Sequence, residues 1–148
     1  MSTPALMTPG QTVQYLPDLI VDGKGTAHCA YIVRVNEAVI WYTKNSAPKN
    51  LNGWTSPLAL TAGTGLDWSF PKIAADNEGN AYVVWQEEHA GNEEVYLKYQ
   101  VNGVWQATVT ISNTAAPSEF PSVAVNPVTK EIFVSWVELT GGGWVTSI

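Results

Sequence analysis

The chain has 148 residues, 45% of them hydrophobic and 11% aromatic with seven Trp, so apolar burial can offset chain entropy and a disordered or low-complexity chain is excluded. Seven basic residues against thirteen acidic ones leave a net charge of −6, with Arg34 the sole arginine, and a surface of that sign repels a phosphate backbone, which argues against a nucleic-acid partner. The length suits one folding unit, an ordinary domain or a compact repeat array. No apolar run approaches the roughly 20 residues that span a bilayer, and residues 1–11 carry neither a basic start nor an apolar core of an export signal. The expectation is a chain without a membrane partner and, by default, cytoplasmic.

In chain order the first apolar segment is Ser2-Thr3-Pro4-Ala5-Leu6-Met7-Thr8, which reads like Thr55-Ser56-Pro57-Leu58-Ala59-Leu60-Thr61 further on. A longer pattern then begins at Pro17-Asp18-Leu19-Ile20-Val21-Asp22-Gly23-Lys24-Gly25-Thr26-Ala27. It returns as Pro71-Lys72-Ile73-Ala74-Ala75-Asp76-Asn77-Glu78-Gly79-Asn80-Ala81 and again as Pro121-Ser122-Val123-Ala124-Val125-Asn126-Pro127. The prolines lie about 54 and 50 residues apart, near the period of propeller blades. Each unit continues with a second apolar run closed by an aromatic (Tyr31, Trp85, Trp136) and a third run at 39–43, 95–100 and 144–148. The first two units add a Gly53-Trp54 or Gly103-Val104-Trp105 turn and a short fourth run at 58–61 or 109–112; the third unit stops before its fourth run.

Every run is short, rich in β-branched and aromatic residues and bounded by Gly, Asn, Asp or Pro, which is strand and turn chemistry, and none has a helical stripe. In residues 81–85 both alternating faces are apolar, so the sheet is expected to be covered on two sides, as in blades stacked around an axis. The predicted fold is all-β: a β-propeller of four-stranded blades. The Asp-x-x-Gly pattern reads as a tight turn rather than a calcium site, because one carboxylate falls short of six to eight oxygen ligands. Cys29 in an apolar strand permits no internal disulfide and reads as core, and His28 and His89 are too isolated for a metal site. No metal and no cofactor is implied.

The organisation that follows is a displaced outer strand at 1–16, blade 1 at 17–70, blade 2 at 71–120 and an incomplete blade 3 at 121–148. Three blades do not close a ring, since propellers carry about four to eight. Open blades would leave two apolar faces wet and one bare edge. A homodimer in which the first strand of each chain finishes the last blade of the other gives six blades with twofold symmetry. A piece of a longer propeller is the rival reading; Met1 and the completed strand count weigh against it.

The run from Pro71 to Trp85, followed by Glu94-Val95-Tyr96-Leu97-Lys98-Tyr99 and Asn102-Gly103-Val104-Trp105, resembles the repeats of sialidase-like propellers of the bacterial neuraminidase repeat class. The likeness covers nearly the whole chain but lacks a full Asp-box, Ser-x-Asp-x-Gly-x-x-Trp, of which only the Gly-Trp ending is kept. It implies the propeller fold and leaves the activity open, because hydrolases and lectins share such repeats. Sialidases of this resemblance grip the substrate carboxylate with three arginines, a bidentate role that lysine does not fill, and Arg34 is alone here. The expectation is therefore no sialidase. A different glycoside hydrolase, using carboxylates such as Glu87, Glu88, Glu119 or Glu138, is a weaker alternative.

Propeller loops gather on one face, and the polar residues of this chain concentrate in them. The candidate ligand-binding residues are Trp68, Asp67, Arg34, Glu87, Glu88, Glu119 and Glu138. Carboxylates accept sugar hydroxyl bonds and an exposed aromatic packs on the C–H face of the ring, so the leading function is a lectin-like, non-enzymatic binding module. Trp68 is the best candidate because neither sister unit has an aromatic there. A structural or protein-interaction scaffold is the alternative. Leu16, Phe70 and Phe120 read as core plugs, Tyr31, Trp85 and Trp136 as interblade core, and Trp54 and Trp105 as pins of the third-to-fourth strand turn.

Overall fold

The structure, a computed structural model, describes residues 14–34, 36–47, 49–50, 52–63, 69–141 and 143–147. All of the strands pair antiparallel, and no helix occurs among the described residues, so none is long and apolar enough to cross a membrane. The first sheet runs β1 (Gln14–Val21), β2 (Ala27–Arg34), β3 (Ala38–Asn45) and β4 (Leu58–Ala59), each beside the next. The second runs β5 (Lys72–Ala75), β6 (Ala81–His89) and β7 (Asn92–Val101), with β8 (Val104–Trp105) and β9 (Val109–Thr110) both pairing β7. The third holds β10 (Ser118–Val125), β11 (Ile132–Thr140) and β12 (Gly143–Ser147). The predicted strand at residues 2–8 lies outside the described residues.

Local chemistry explains the turns. Asp22 Oδ1 accepts from the N–H groups of Lys24 and Thr26 at 2.8 Å each, and Asp76 Oδ1 from those of Glu78 and Asn80 at 2.9 Å each. Asn126 does the same for Val128 and Thr129 at 3.0 and 3.1 Å. These side chains satisfy the backbone that the turn strips from the ladder, which is the turn role expected of them. Gly79 supplies positive φ in the second turn and Lys130, at φ 64°, in the longer third one. Two-residue turns at Ala90-Gly91 and Asn102-Gly103, with φ positive at both positions, join β6 to β7 and β7 to β8; this geometry suits the right-handed twist of a hairpin.

Leu16, Phe70 and Phe120 share a left-handed backbone, at φ 46°, 40° and 53°, immediately before the repeated prolines. In β1 and β10 that residue falls where the register slips, between Tyr15 and Asp18 and between Glu119 and Ser122. The bulge absorbs the proline, which has no N–H to give the ladder, and the strand continues upstream. The unit boundaries expected at 16/17 and 120/121 therefore fall inside strands, and Glu119, expected on the loop face, is a strand residue. The bulge also turns the aromatic outward. Phe120 is 51% and Leu16 36% exposed, so these two are not the core plugs expected of them, while Phe70 is half-buried and packs on Phe120 with ring centres 5.0 Å apart.

The three sheets stack face on face. Ala30, Ile32, Ile40, Tyr42 and Leu60 of the first pack on Ile73, Ala81, Val83 and Trp85 of the second. The other face of the second, with Ala74, Tyr82, Val84 and Leu97, packs on Val123, Val125, Ile132 and Val134 of the third. The middle sheet is thus buried on both sides, as the apolar alternation of residues 81–85 requires. The first strands of the sheets neighbour one another, and the Ile73 N–H donates to Asp18 Oδ2 at 2.9 Å across that seam. Cys29, Tyr31 and Val33, on the far face of the first sheet, are buried with Trp41 and Trp54 packed against them. The far face of the third is wet, with Phe133 55% exposed. The far face of the first is covered along β2 only, because Leu19 and Val21, which share it on β1, are 52% and 53% exposed. Trp85 and Tyr31 are core, whereas Trp136 is only partly buried, on the sheet that has three strands. Trp105 reaches past its turn to meet Tyr42 edge-on at 5.0 Å, between the first two sheets.

Candidate functional site

Between the first and second sheets the packing opens into a groove of about 1000 Å³. Strand alternation decides what lines it. Trp85 and Glu87 of β6 and Asn92, Glu94, Tyr96 and Lys98 of β7 point to the same side, and Trp85 faces Tyr96 and Glu87 faces Glu94 directly across the ladder. The Trp85 and Tyr96 rings lie nearly parallel, 21° apart in plane, with centres 6.0 Å apart. Leu60 and Thr61 of the first sheet, and Thr110 at the edge of the second, form the walls.

Two carboxylates directly opposite each other repel, so each needs donors. The Trp85 indole N–H donates to Glu87 Oε2 at 2.9 Å. Glu94 is 7% exposed and filled on both oxygens: Oε1 accepts from Asn92 Nδ2 at 2.9 Å and from the Thr114 N–H at 3.3 Å, and Oε2 from the Ser112 hydroxyl at 2.6 Å. Lys98 Nζ crosses to donate to the Leu60 carbonyl at 2.8 Å, tying the two sheets together. Among the described residues, Glu87 Oε1 and the Tyr96 hydroxyl take part in no hydrogen bond. Burial, and then the nearby Glu87 and Glu94 carboxylates, push the Tyr96 phenol above its ordinary pKa, because all three disfavour a phenolate. No group of three or more His, Cys, Asp or Glu is placed to hold a metal ion among the described residues.

The predicted site residues are distributed around this groove rather than gathered in it. Glu87 lines it. Glu88, expected beside Glu87 in a loop, is instead on β6 and faces the other side of the sheet, opposite Glu93. Glu119 sits on β10 opposite Val137; burial, and then the Glu93 carboxylate, raise its pKa, which places Glu119 and Glu93 near each other on the side away from the groove. Glu138 occupies on β11 the position that Glu87 holds on β6, two residues after the closing tryptophan. Arg34 ends β2 opposite Ala38, half-buried and in contact with neighbouring groups. Asp67 and Trp68 lie outside the described residues. The residues missed were Glu94, Tyr96 and Lys98. Their signal was present: a strand between two sheets that places a polar or phenolic group at every second position of one face.

No protein-family model matches the chain, and no curated protein is significantly similar to it.

Proposed function

We propose that the chain is three blades of a β-propeller, completed to six by a second copy, and that it acts as a non-enzymatic, carbohydrate-binding module. The carrying observation is the groove beside Trp85 and Tyr96. It combines the half-buried Tyr96 ring, backed by the buried Trp85, with a carboxylate oxygen and a phenol that no described protein group occupies. A sugar offers matching chemistry: hydroxyls for the oxygen acceptor and a C–H face for the aromatic ring. Trp68 is the proposed second aromatic contact, with Asp67 beside it in the chain, while Arg34, Glu88, Glu119 and Glu138 are proposed contacts outside the groove. The closed state of Glu94 speaks against a glycoside hydrolase at this pair, since that chemistry needs two carboxyl groups free to act on the substrate and on water.

Support for the assembly is internal. The same face of each unit meets the opposite face of the next, twice over, and the third sheet repeats the pattern with Phe133 and Leu139 exposed. Exposed apolar rows of this kind mark interfaces. Light scattering is expected to give about 32 kDa, twice the 16.0 kDa of one chain; a monodisperse single-chain mass removes the ring. On a glycan array the wild-type chain is expected to bind, and Tyr96→Ala and Trp68→Ala each to weaken binding about tenfold or more, in line with loss of an aromatic platform. Silence on every glycan, with a protein captured instead, would turn the reading to a scaffold. Turnover of chromogenic glycosides that is lost in Glu87→Gln would turn it to a hydrolase.

A further inference from the structure

We infer that the groove selects a cationic amino sugar, a hexosamine with a free ammonium group, over neutral and acidic sugars; this rests on the carbohydrate reading above and names its ligand class. The charged side chains on the groove are Glu87, Glu94 and Lys98, two negative and one positive. Glu94 is buried with both oxygens filled, so it contributes field and no bond to a ligand. The Lys98 ammonium is anchored on the Leu60 carbonyl at the far wall. Glu87 is different: it lines the groove, the Trp85 indole holds one oxygen and thereby orients the carboxylate, and the other oxygen takes no hydrogen bond among the described residues.

An ammonium set on that oxygen makes a charge-assisted bond, roughly twice as strong as one from a neutral hydroxyl, on an acceptor already in position. The half-buried Tyr96 ring beside it, backed by the buried Trp85, adds cation–π attraction. A sugar carboxylate in the same place meets Glu87 and Glu94 together, with Lys98 its one opposing charge. Burial first, and then the Glu87 and Glu94 carboxylates, raise the Tyr96 phenol, so both carboxylates act on this part of the groove.

The test is calorimetric titration of the full chain with three probes, the fully deacetylated chitotriose, its N-acetylated counterpart and sialyllactose, at a pH where the amines are charged. The deacetylated trimer is expected to bind about tenfold or more tightly than the acetylated one, and sialyllactose not at all. Glu87→Gln is expected to abolish the preference. Glu131→Gln, in the β10–β11 turn and remote from the groove, is expected to leave it intact. Equal binding of both trimers overturns the inference and leaves the carbohydrate reading standing, whereas binding of none of the three overturns both. A preference that survives Glu87→Gln, or falls equally in Glu131→Gln, overturns it too, because overall acidity would then be the cause.

Discussion

Replacing Asp76 by Ala removes a fully buried carboxylate that supports the whole β5–β6 turn. Oδ1 accepts from the N–H groups of Glu78 and Asn80, while Oδ2 accepts from Asn80 Nδ2 at 2.8 Å and from the Tyr82 hydroxyl at 3.0 Å. Each buried donor left without an acceptor costs about 1–3 kcal/mol, and water can rescue the Glu78 N–H, which is only partly buried. The expected loss is about 3–5 kcal/mol, at the top of the range for one substitution. Asp76→Asn is the discriminating variant. The third unit carries Asn126 and Phe133 where the second has Asp76 and Tyr82, and Asn126 still caps its turn through Oδ1. Asp76→Asn should therefore keep the two backbone bonds and lose about 1–2 kcal/mol, because its amide now faces the Asn80 amide. Adding Tyr82→Phe rebuilds the third unit's pair, and the double variant should cost less than the two single changes together, with a coupling of about 1 kcal/mol.

Urea unfolding followed by tryptophan fluorescence reads all four proteins. If Asp76→Ala loses under about 1 kcal/mol, or if Asn is as costly as Ala, the carboxylate does not carry the turn. The pH dependence has a definite sign. Burial alone would raise the Asp76 carboxyl, but bonds from Asn80, Tyr82 and Glu78 overcome it and hold the pKa below the ordinary 3.8. Asp22 is held low in the same way by His28, Thr26 and Lys24. A depressed folded pKa means that this stability is complete above about pH 4 and is lost as pH falls through the folded values. The wild-type acid transition should be steep, and it should flatten in Asp76→Ala.

Ala90 holds φ 54° in a turn that favours Asn-Gly, so Ala90→Asn is expected to raise stability by about 1 kcal/mol in the same assay; a loss would show that the turn is not under strain. Gly23 lies against the Asn77 turn of the neighbouring unit, and a Cβ there would sit 3.1 Å from Asn77 Cα, so Gly23→Ala should cost about 1–3 kcal/mol by prising the units apart. Burial, and then the Asp18 carboxylate, push the Cys29 thiol up to about 11, so Ellman's reagent at pH 8 should label it only as the chain unfolds; fast labelling of the native protein would contradict the packing. That same raised pKa adds stability below about pH 9 that disappears as pH rises toward 11.

Strands, turns and the threefold repeat could be read from the chain because each is decided locally. A β-branched run, an Asp that caps its own turn and a glycine at positive φ act within a few residues. Even Cys29 and Trp85 were recognisable as core from the strand around them. The site was legible only at Glu87. Adjacent Glu87 and Glu88 look equivalent in one dimension, yet the pleat sends them to opposite faces once β6 is found to extend through His89. Tyr96 and Glu94 join Glu87 because register pairs β7 with β6, and register is a property of two strands together. Tertiary contact likewise set the left-handed residues before Pro17 and Pro121, where the chain must keep the ladder while carrying a proline that cannot donate to it. Sequence alone thus determined where strands and turns occur, though not where β1, β6 and β10 end. The stacking of the sheets decided which side chains meet, since burial and hydrogen bonding across sheets depend on residues far apart in the chain.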